Sequence, residues 1–376
     1  MNIKELCDKA LLSDASYADF KGIDLSDKDD IKTALTNSGF TSTQSDEFIK
    51  HWEVIDHQPD TSSGFSATLF KNKQTGEYVF ANRGTAEIYS DVIKADLFGI
   101  VLQGKAKDQL IDMFRYFKKL ETVEGQAVVY SQSELTVLSS LMNGATNSQL
   151  EDFLVGDIGI GAISNSTSVS VTGHSLGGHL STWFPAFFGN KATHTFTFNG
   201  AGIGGFGVEI IDLLTRFFQD GEMYSLTSSD ITNVYAEQGL EVTAGVGAYV
   251  GMMMPIFIED QGLIEGNLLI ANHSIAHLVD SLNVYQLMNA IDNSLSIDKM
   301  GLFLESASNI AKNSLESVIN TIGDLLQVDG KAVVDDRESL YARLSKINAE
   351  IFVDPYLDSP QLKSQYQNLQ IVDVAS

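Results

Sequence analysis

Val169-Ser170-Val171-Thr172-Gly173-His174-Ser175-Leu176-Gly177-Gly178-His179-Leu180 alternates like a strand, turns through Gly-His-Ser-Leu-Gly, and runs on into a helix. Gly173 and Gly177 flank the serine at the two places where a sharp strand-to-helix turn leaves no room for a Cβ. Such a turn lifts the Ser175 hydroxyl out of the backbone and sets it at a helix N-terminus. Free N–H groups and the helix dipole favour a developing oxyanion there, with the N–H of Leu176 as first donor. The pentapeptide alone also suits an ordinary Gly/Ser turn. The strand before it, the helix after it and three further features decide between the two.

The first of these lies upstream. Phe65–Phe70 and Tyr78–Asn82 read as two strands of a hairpin, and the second ends in Arg83-Gly84-Thr85. Thr85 offers an N–H and a hydroxyl at a strand end, as a second oxyanion donor requires, although the same residues also suit a loop cap. Downstream, Thr193–Phe198 and Asp230–Glu237 read as further strands. The first ends in Asn199-Gly200-Ala201-Gly202-Ile203-Gly204-Gly205, a turn lacking the framing of a dinucleotide fingerprint. Helices are expected at 3–20, 28–36, 43–52, 106–120, 132–142, 147–154, 206–219, from 271 to about 288, 301–327 and 336–350. Strands alternating with helices imply an α/β class and a mostly parallel sheet flanked by helices, closed by a helical C-terminal extension. The division expected is 1–292 for the main domain and 293–376 for the extension. Two apolar segments, 91–104 and 243–258, suit substrate-facing lids or equally buried core.

An attacking serine needs a base, and the base needs an orienting acid. In a serine-elbow hydrolase the chain order is serine, acid, histidine. Of the 7 histidines, His51, His57 and His174 precede the serine, His179 points along the elbow helix, and His194 comes too early. His273 and His277 remain, and His273, at a loop-to-helix junction, is the expected base. Glu237, directly after a strand, is the first candidate for the acid, and Asp260, in the loop before His273, is the alternative.

With these residues in place the chain resembles the class 3 lipases of the α/β-hydrolase superfamily. The likeness rests on Phe80-Ala81-Asn82-Arg83-Gly84-Thr85, Val171–Gly178, the Asn199–Gly202 turn and His273, over about residues 5–290. The segment Leu11–Tyr17 and the 65–82 hairpin are similar to bacterial members. The resemblance implies an α/β-hydrolase-like fold and a lipolytic carboxylester hydrolase that uses no cofactor and no metal. It gives Ser175 as nucleophile, His273 as base, and the N–H groups of Thr85 and Leu176 as oxyanion hole. The family's usual acid is an Asp followed by Pro, where this chain reads Ala236-Glu237-Gln238-Gly239. Triacylglycerol lipase is the expected activity and phospholipase A1 the alternative. A catalytically silent lipid-binding or interaction protein is the reading from another class.

Bulk properties bound the rest. With 376 residues, 44% hydrophobic and 19% charged, the chain is globular and long enough for a large core. A net charge of −25 excludes nucleic acid and anionic membranes as electrostatic partners and leaves a lipid or ester at an interface. Cys7 is the single cysteine, so no internal disulfide is expected. No signal-peptide pattern and no long apolar run is seen, so no stable membrane insertion is expected. The expected location is extracellular by a signal-peptide-independent route, with cytoplasmic as the alternative.

Overall fold

The computed structural model describes residues 2–84, 95–142, 144–202, 230–237, 249–259, 273–307 and 313–353, with backbone alone at 95–105, 190, 352 and 353. The helix expected at 206–219 lies outside these residues, as do Thr85 and Asp260.

The described strands form one seven-stranded sheet in sequence order, β1 (Trp52–Gln58), β2 (Ala67–Asn72), β3 (Tyr78–Asn82), β4 (Val169–His174), β5 (Ala192–Phe198), β6 (Ile231–Ala236) and β7 (Met252–Ile256). The first three run as an antiparallel meander, and every pairing from β3 to β7 is parallel. This is the mostly parallel sheet expected, flanked by helices and followed by a helical C-terminal region.

Alternation along each strand sorts side chains to the two faces. Phe80 of β3 with Val169 and Val171 of β4 face one way, toward α4 (Ala95–Glu121), α5 (Gln132–Leu141), α6 (Asn147–Leu154) and α7 (Leu176–Phe188). There Phe114, Phe117, Phe184 and Phe188 stack ring on ring, with centroids 4.6 Å apart for Phe117 and Phe188. Fully burying each such ring contributes about 1.5–3 kcal/mol. The other face carries α1 (Ile3–Ala15), α2 (Lys28–Asn37) and α3 (Ser42–His51), with Phe196 and Phe198 of β5 meeting α1 and the helix Ile275–Ile291. The helices Ile297–Ser306, Ser314–Leu325 and Arg337–Val353 contribute Met300, Leu315, Ile319, Leu344 and Ile347 to that same core.

Four segments differ from the sequence reading. The helix expected at 106–120 begins at Ala95, so most of the 91–104 segment continues α4 as helix. Gly99 and Gly104 interrupt its apolar pattern, and glycine lowers helix propensity by about 1 kcal/mol. Residues 252–256 of the 243–258 segment form β7, with Met252 and Met253 exposed, whereas 243–248 fall outside the described residues. Pro255 sits in that strand, which is tolerable because β7 pairs with β6 and is an edge. The single helix expected at 301–327 is two, Ile297–Ser306 and Ser314–Leu325, and 308–312 lie outside the described residues. The strand β1 was not expected. It follows α3 without a turn residue, and Glu53, Asp56 and His57 blur its alternation.

Candidate active site

β4 ends at His174 and α7 begins at Leu176, so Ser175 alone makes the turn. Its backbone sits at φ 57° and ψ −124°, a conformation that L-residues avoid and that marks functional turns. The sequence permits this because nothing else has to fit. A Cβ on Gly173 would press on the Gly177 main chain, and one on Gly177 would press on the main chain of Asn82 and Arg83. Ser175 N–H donates to the Phe198 carbonyl at 3.0 Å, which ties the turn to the end of β5. Ser175 is 1% exposed, and its Oγ makes no hydrogen bond. A buried hydroxyl normally finds a partner, so one left open is poised for something else. Leu176, at the first helical position, has an N–H without an intrahelical acceptor.

The strand that precedes Thr85 is held against the same turn. Asn82 Nδ2 donates to Ser181 Oγ of α7 at 3.0 Å. Arg83 pairs with Asp60, and its N–H donates to the Ser66 carbonyl at 3.0 Å. Thr85 itself, the second expected oxyanion donor, lies outside the described residues.

The structure brings His273 to the elbow. It stands two residues before the helix Ile275–Ile291, is buried, and its ring centroid lies 4.7 Å from that of His174. Its carbonyl accepts from His174 Nε2 at 2.7 Å and from Asn199 Nδ2 at 3.2 Å. Asn199, at φ 43°, closes the β5 end: its Oδ1 accepts from Ala236 N–H at 2.9 Å and its own N–H donates to the Val234 carbonyl at 2.9 Å. One asparagine thus joins the ends of β5 and β6 to the loop that carries His273.

The other histidines are occupied elsewhere. His179 donates from Nδ1 to the Gly202 carbonyl at 3.1 Å and accepts the Trp183 indole N–H on Nε2 at 3.1 Å, and burial pushes its pKa down to about 4. His57 packs against Thr68 and Phe20, and burial, outweighing nearby Asp19, lowers it to about 4. His194 bonds Thr232 at 2.9 Å, and His51 is exposed beside Glu47. His277 lines an acidic cavity with Glu259, Asp280, Glu316 and Arg337, on the side of the C-terminal helices.

Glu237 is the first residue past β6 and is exposed. Its N–H donates to the Ile256 carbonyl at 2.9 Å, and none of the hydrogen bonds or ion pairs found among the described residues involves its carboxylate. Asp260 lies outside the described residues. Among the described residues no group of three or more His, Cys, Asp or Glu is arranged to hold a metal ion, and no helix is long and apolar enough to cross a membrane. Cys7 is free and buried.

Tyr17, His174 and Asn199 have no role in the sequence reading beyond lying in segments that carry the resemblance. Asn before Gly at a strand end is the one local signal that marks a positive-φ turn. Nothing local marks Tyr17, which meets its partner across 157 residues.

No protein-family model matches the chain, and no curated protein does. Solved structures similar to it include the Lip2 lipase from Yarrowia lipolytica, at 17% identity over 70% of this chain and 81% of that one, with a TM-score of 0.31. Nonglycosylated Yarrowia lipolytica LIP2 lipase is similar at 16% identity over 70% and 82%, with a TM-score of 0.33. At this level the likeness adds nothing to what the sheet and the elbow say by themselves.

Proposed function

We propose that the chain is a serine carboxylester hydrolase acting on lipids, of the class 3 lipase type that its motifs resemble, with triacylglycerol as substrate. The observation that carries this is Ser175: a strained, buried elbow serine with an unbonded hydroxyl, next in the chain to His174, whose ring packs 4.7 Å from that of His273. Strain of 1–3 kcal/mol at a single residue persists only where the surroundings enforce it.

In the proposed reaction His273 takes the Ser175 proton while Oγ attacks the ester carbonyl carbon. The tetrahedral oxyanion is met by the N–H groups of Leu176 and Thr85. The intermediate collapses as His273 gives the proton to the leaving alcohol, which leaves an acyl-serine. Water then loses a proton to His273 and attacks the acyl carbon, and the second tetrahedral intermediate collapses as His273 returns that proton to Ser175 Oγ, releasing the fatty acid. The acid that steadies His273 is Glu237 or Asp260, and the exposure of Glu237 is the observation favouring Asp260.

A net charge of −25 works against anionic phospholipid surfaces and leaves neutral triacylglycerol and zwitterionic phosphatidylcholine as the substrates to compare. The test is fatty-acid release from a triacylglycerol emulsion and from phosphatidylcholine vesicles, with Ser175→Ala as the blank. Release from triacylglycerol alone is expected. Release from the sn-1 position of phosphatidylcholine would make the protein a phospholipase A1. Equal release by wild type and Ser175→Ala would end the serine-hydrolase reading.

A further inference from the structure

The last residue of β4 has no part in the chemistry just described, yet three parts of the site meet on it. His174 is buried, and its chain neighbour is Ser175. Its Nε2 lies 2.7 Å from the His273 carbonyl oxygen, and its Nδ1 lies 2.8 Å from the Tyr17 hydroxyl. A carbonyl oxygen only accepts, so Nε2 must carry the proton. A neutral imidazole has one such proton, so Nδ1 presents its lone pair and accepts from Tyr17. Burial, with the His273 ring alongside, pushes the His174 pKa well below the usual imidazole value, although the bond to the His273 carbonyl works the other way. His174 is therefore a neutral imidazole whose tautomer is fixed at both ends.

Tyr17 also borders the oxyanion side. A Cβ on Gly84, one residue before Thr85, would press on the Tyr17 hydroxyl, would lie 2.7 Å from the His174 carbonyl oxygen, and would lie 3.2 Å from Ser175 Cβ. Nucleophile turn, oxyanion strand and base loop therefore close around one Tyr–His pair.

We infer that Tyr17 and His174 form a positioning device for the reaction, setting the direction of the His273 ring by gripping its main-chain carbonyl, with Asn199 as the second grip. This rests on the reading of His273 as the base. Main-chain clamping fixes where the ring starts, and the acid then fixes only its rotation. If Tyr17 is lost, the Nδ1 proton tautomer becomes accessible. In that form a bare Nε2 lone pair faces the carbonyl, and the base residue is pushed off its place. A misplacement of 1 Å costs about 100-fold in rate.

The test compares wild type with Tyr17→Phe, His174→Phe and His174→Gln, reading kcat and KM on a soluble ester and the rate of labelling by a serine-directed phosphonate. His174→Phe keeps the ring without a donor and is expected to lower kcat and labelling about 10- to 100-fold, with KM unchanged within about twofold. His174→Gln places an amide N–H near the lost Nε2 and is expected to recover most of that loss, which a purely structural role would not predict. Tyr17→Phe is expected to lower kcat about fivefold at unchanged KM, and it decides the matter if His174→Phe does not fold. Full-rate labelling of Tyr17→Phe and His174→Phe, or a Gln variant as impaired as the Phe variant, overturns the positioning role while leaving the hydrolase reading standing. If the phosphonate does not label the wild type at all, the hydrolase reading fails and this inference fails with it.

Discussion

The Arg337 guanidinium grips the Asp280 carboxylate through two parallel hydrogen bonds, Nε to Oδ2 and Nη2 to Oδ1, each 2.8 Å. Tyr341 donates to Asp280 Oδ1 at 2.6 Å, and Arg337 Nη1 donates to the Gly39 carbonyl at 2.8 Å. The pair ties the helix Arg337–Val353 to the helix Ile275–Ile291, at whose start His273 stands. Removing one partner leaves the other a buried, uncompensated charge. Arg337→Met is expected to destabilise the fold by about 3 kcal/mol, and Asp280→Leu with Arg337→Met by less than that. Urea midpoints of the single and double variants check this.

Gly177 meets the main chain of Asn82 and Arg83 where any Cβ would stand. Gly177→Ala therefore has to push the end of β3 off the elbow. The expected cost is about 2–3 kcal/mol of stability together with loss of ester turnover. Thermal unfolding and phosphonate labelling, measured on the same sample, report the two effects.

Glu316 is 6% exposed and its Oε2 has no hydrogen bond. Burial, reinforced by the Glu259 carboxylate, raises its pKa to about 7. Between the ordinary carboxylate range and pH 7 the folded chain holds a proton there that the unfolded chain does not. Its contribution is therefore fully present at the acid end of that window and is lost as pH rises through about 7. Glu316→Gln cannot ionise. It is expected to be more stable than wild type at pH 8 by about 1–3 kcal/mol and equal to it near pH 4. Denaturant titrations at both pH values decide the sign, and a constant difference across that range would refute it.

Glu237→Gln and Asp260→Asn divide the acid role. The true partner of His273 is expected to lower kcat by about 10⁴-fold with KM nearly unchanged, because the base then takes the wrong tautomer. The other variant is expected to stay within about threefold of wild type. Steady-state kinetics on one soluble ester suffices.

The elbow was legible because its information is local. Alternating Val169 to Thr172 and glycines at 173 and 177 make one strand and one turn, whatever lies around them. The same holds for β3, β5 and β6 and for helices with capping boxes, such as α3 with Thr41 and Gln44. β7 was not legible, since Pro255 and three methionines suit a strand only at an edge, which is a property of the sheet. The long α4 was hidden by Gly99 and Gly104, which lower helix propensity without ending the helix. Chain order points to Ser175 and His273 as candidates, but the grip on the His273 carbonyl leaves no such trace. Tyr17, His174 and Asn199 act through a main-chain carbonyl, and a carbonyl has no letter in a sequence.

The chain has 2 tryptophans, and the structure puts them on opposite faces of the sheet, Trp52 among α2 and α3 and Trp183 in the elbow helix. The Trp183 indole N–H is bound to His179 Nε2 at 3.1 Å. To take up a proton, that imidazole has to give up its lone pair and release the indole. Trp183 is thus a built-in optical gauge of the helix that follows Ser175.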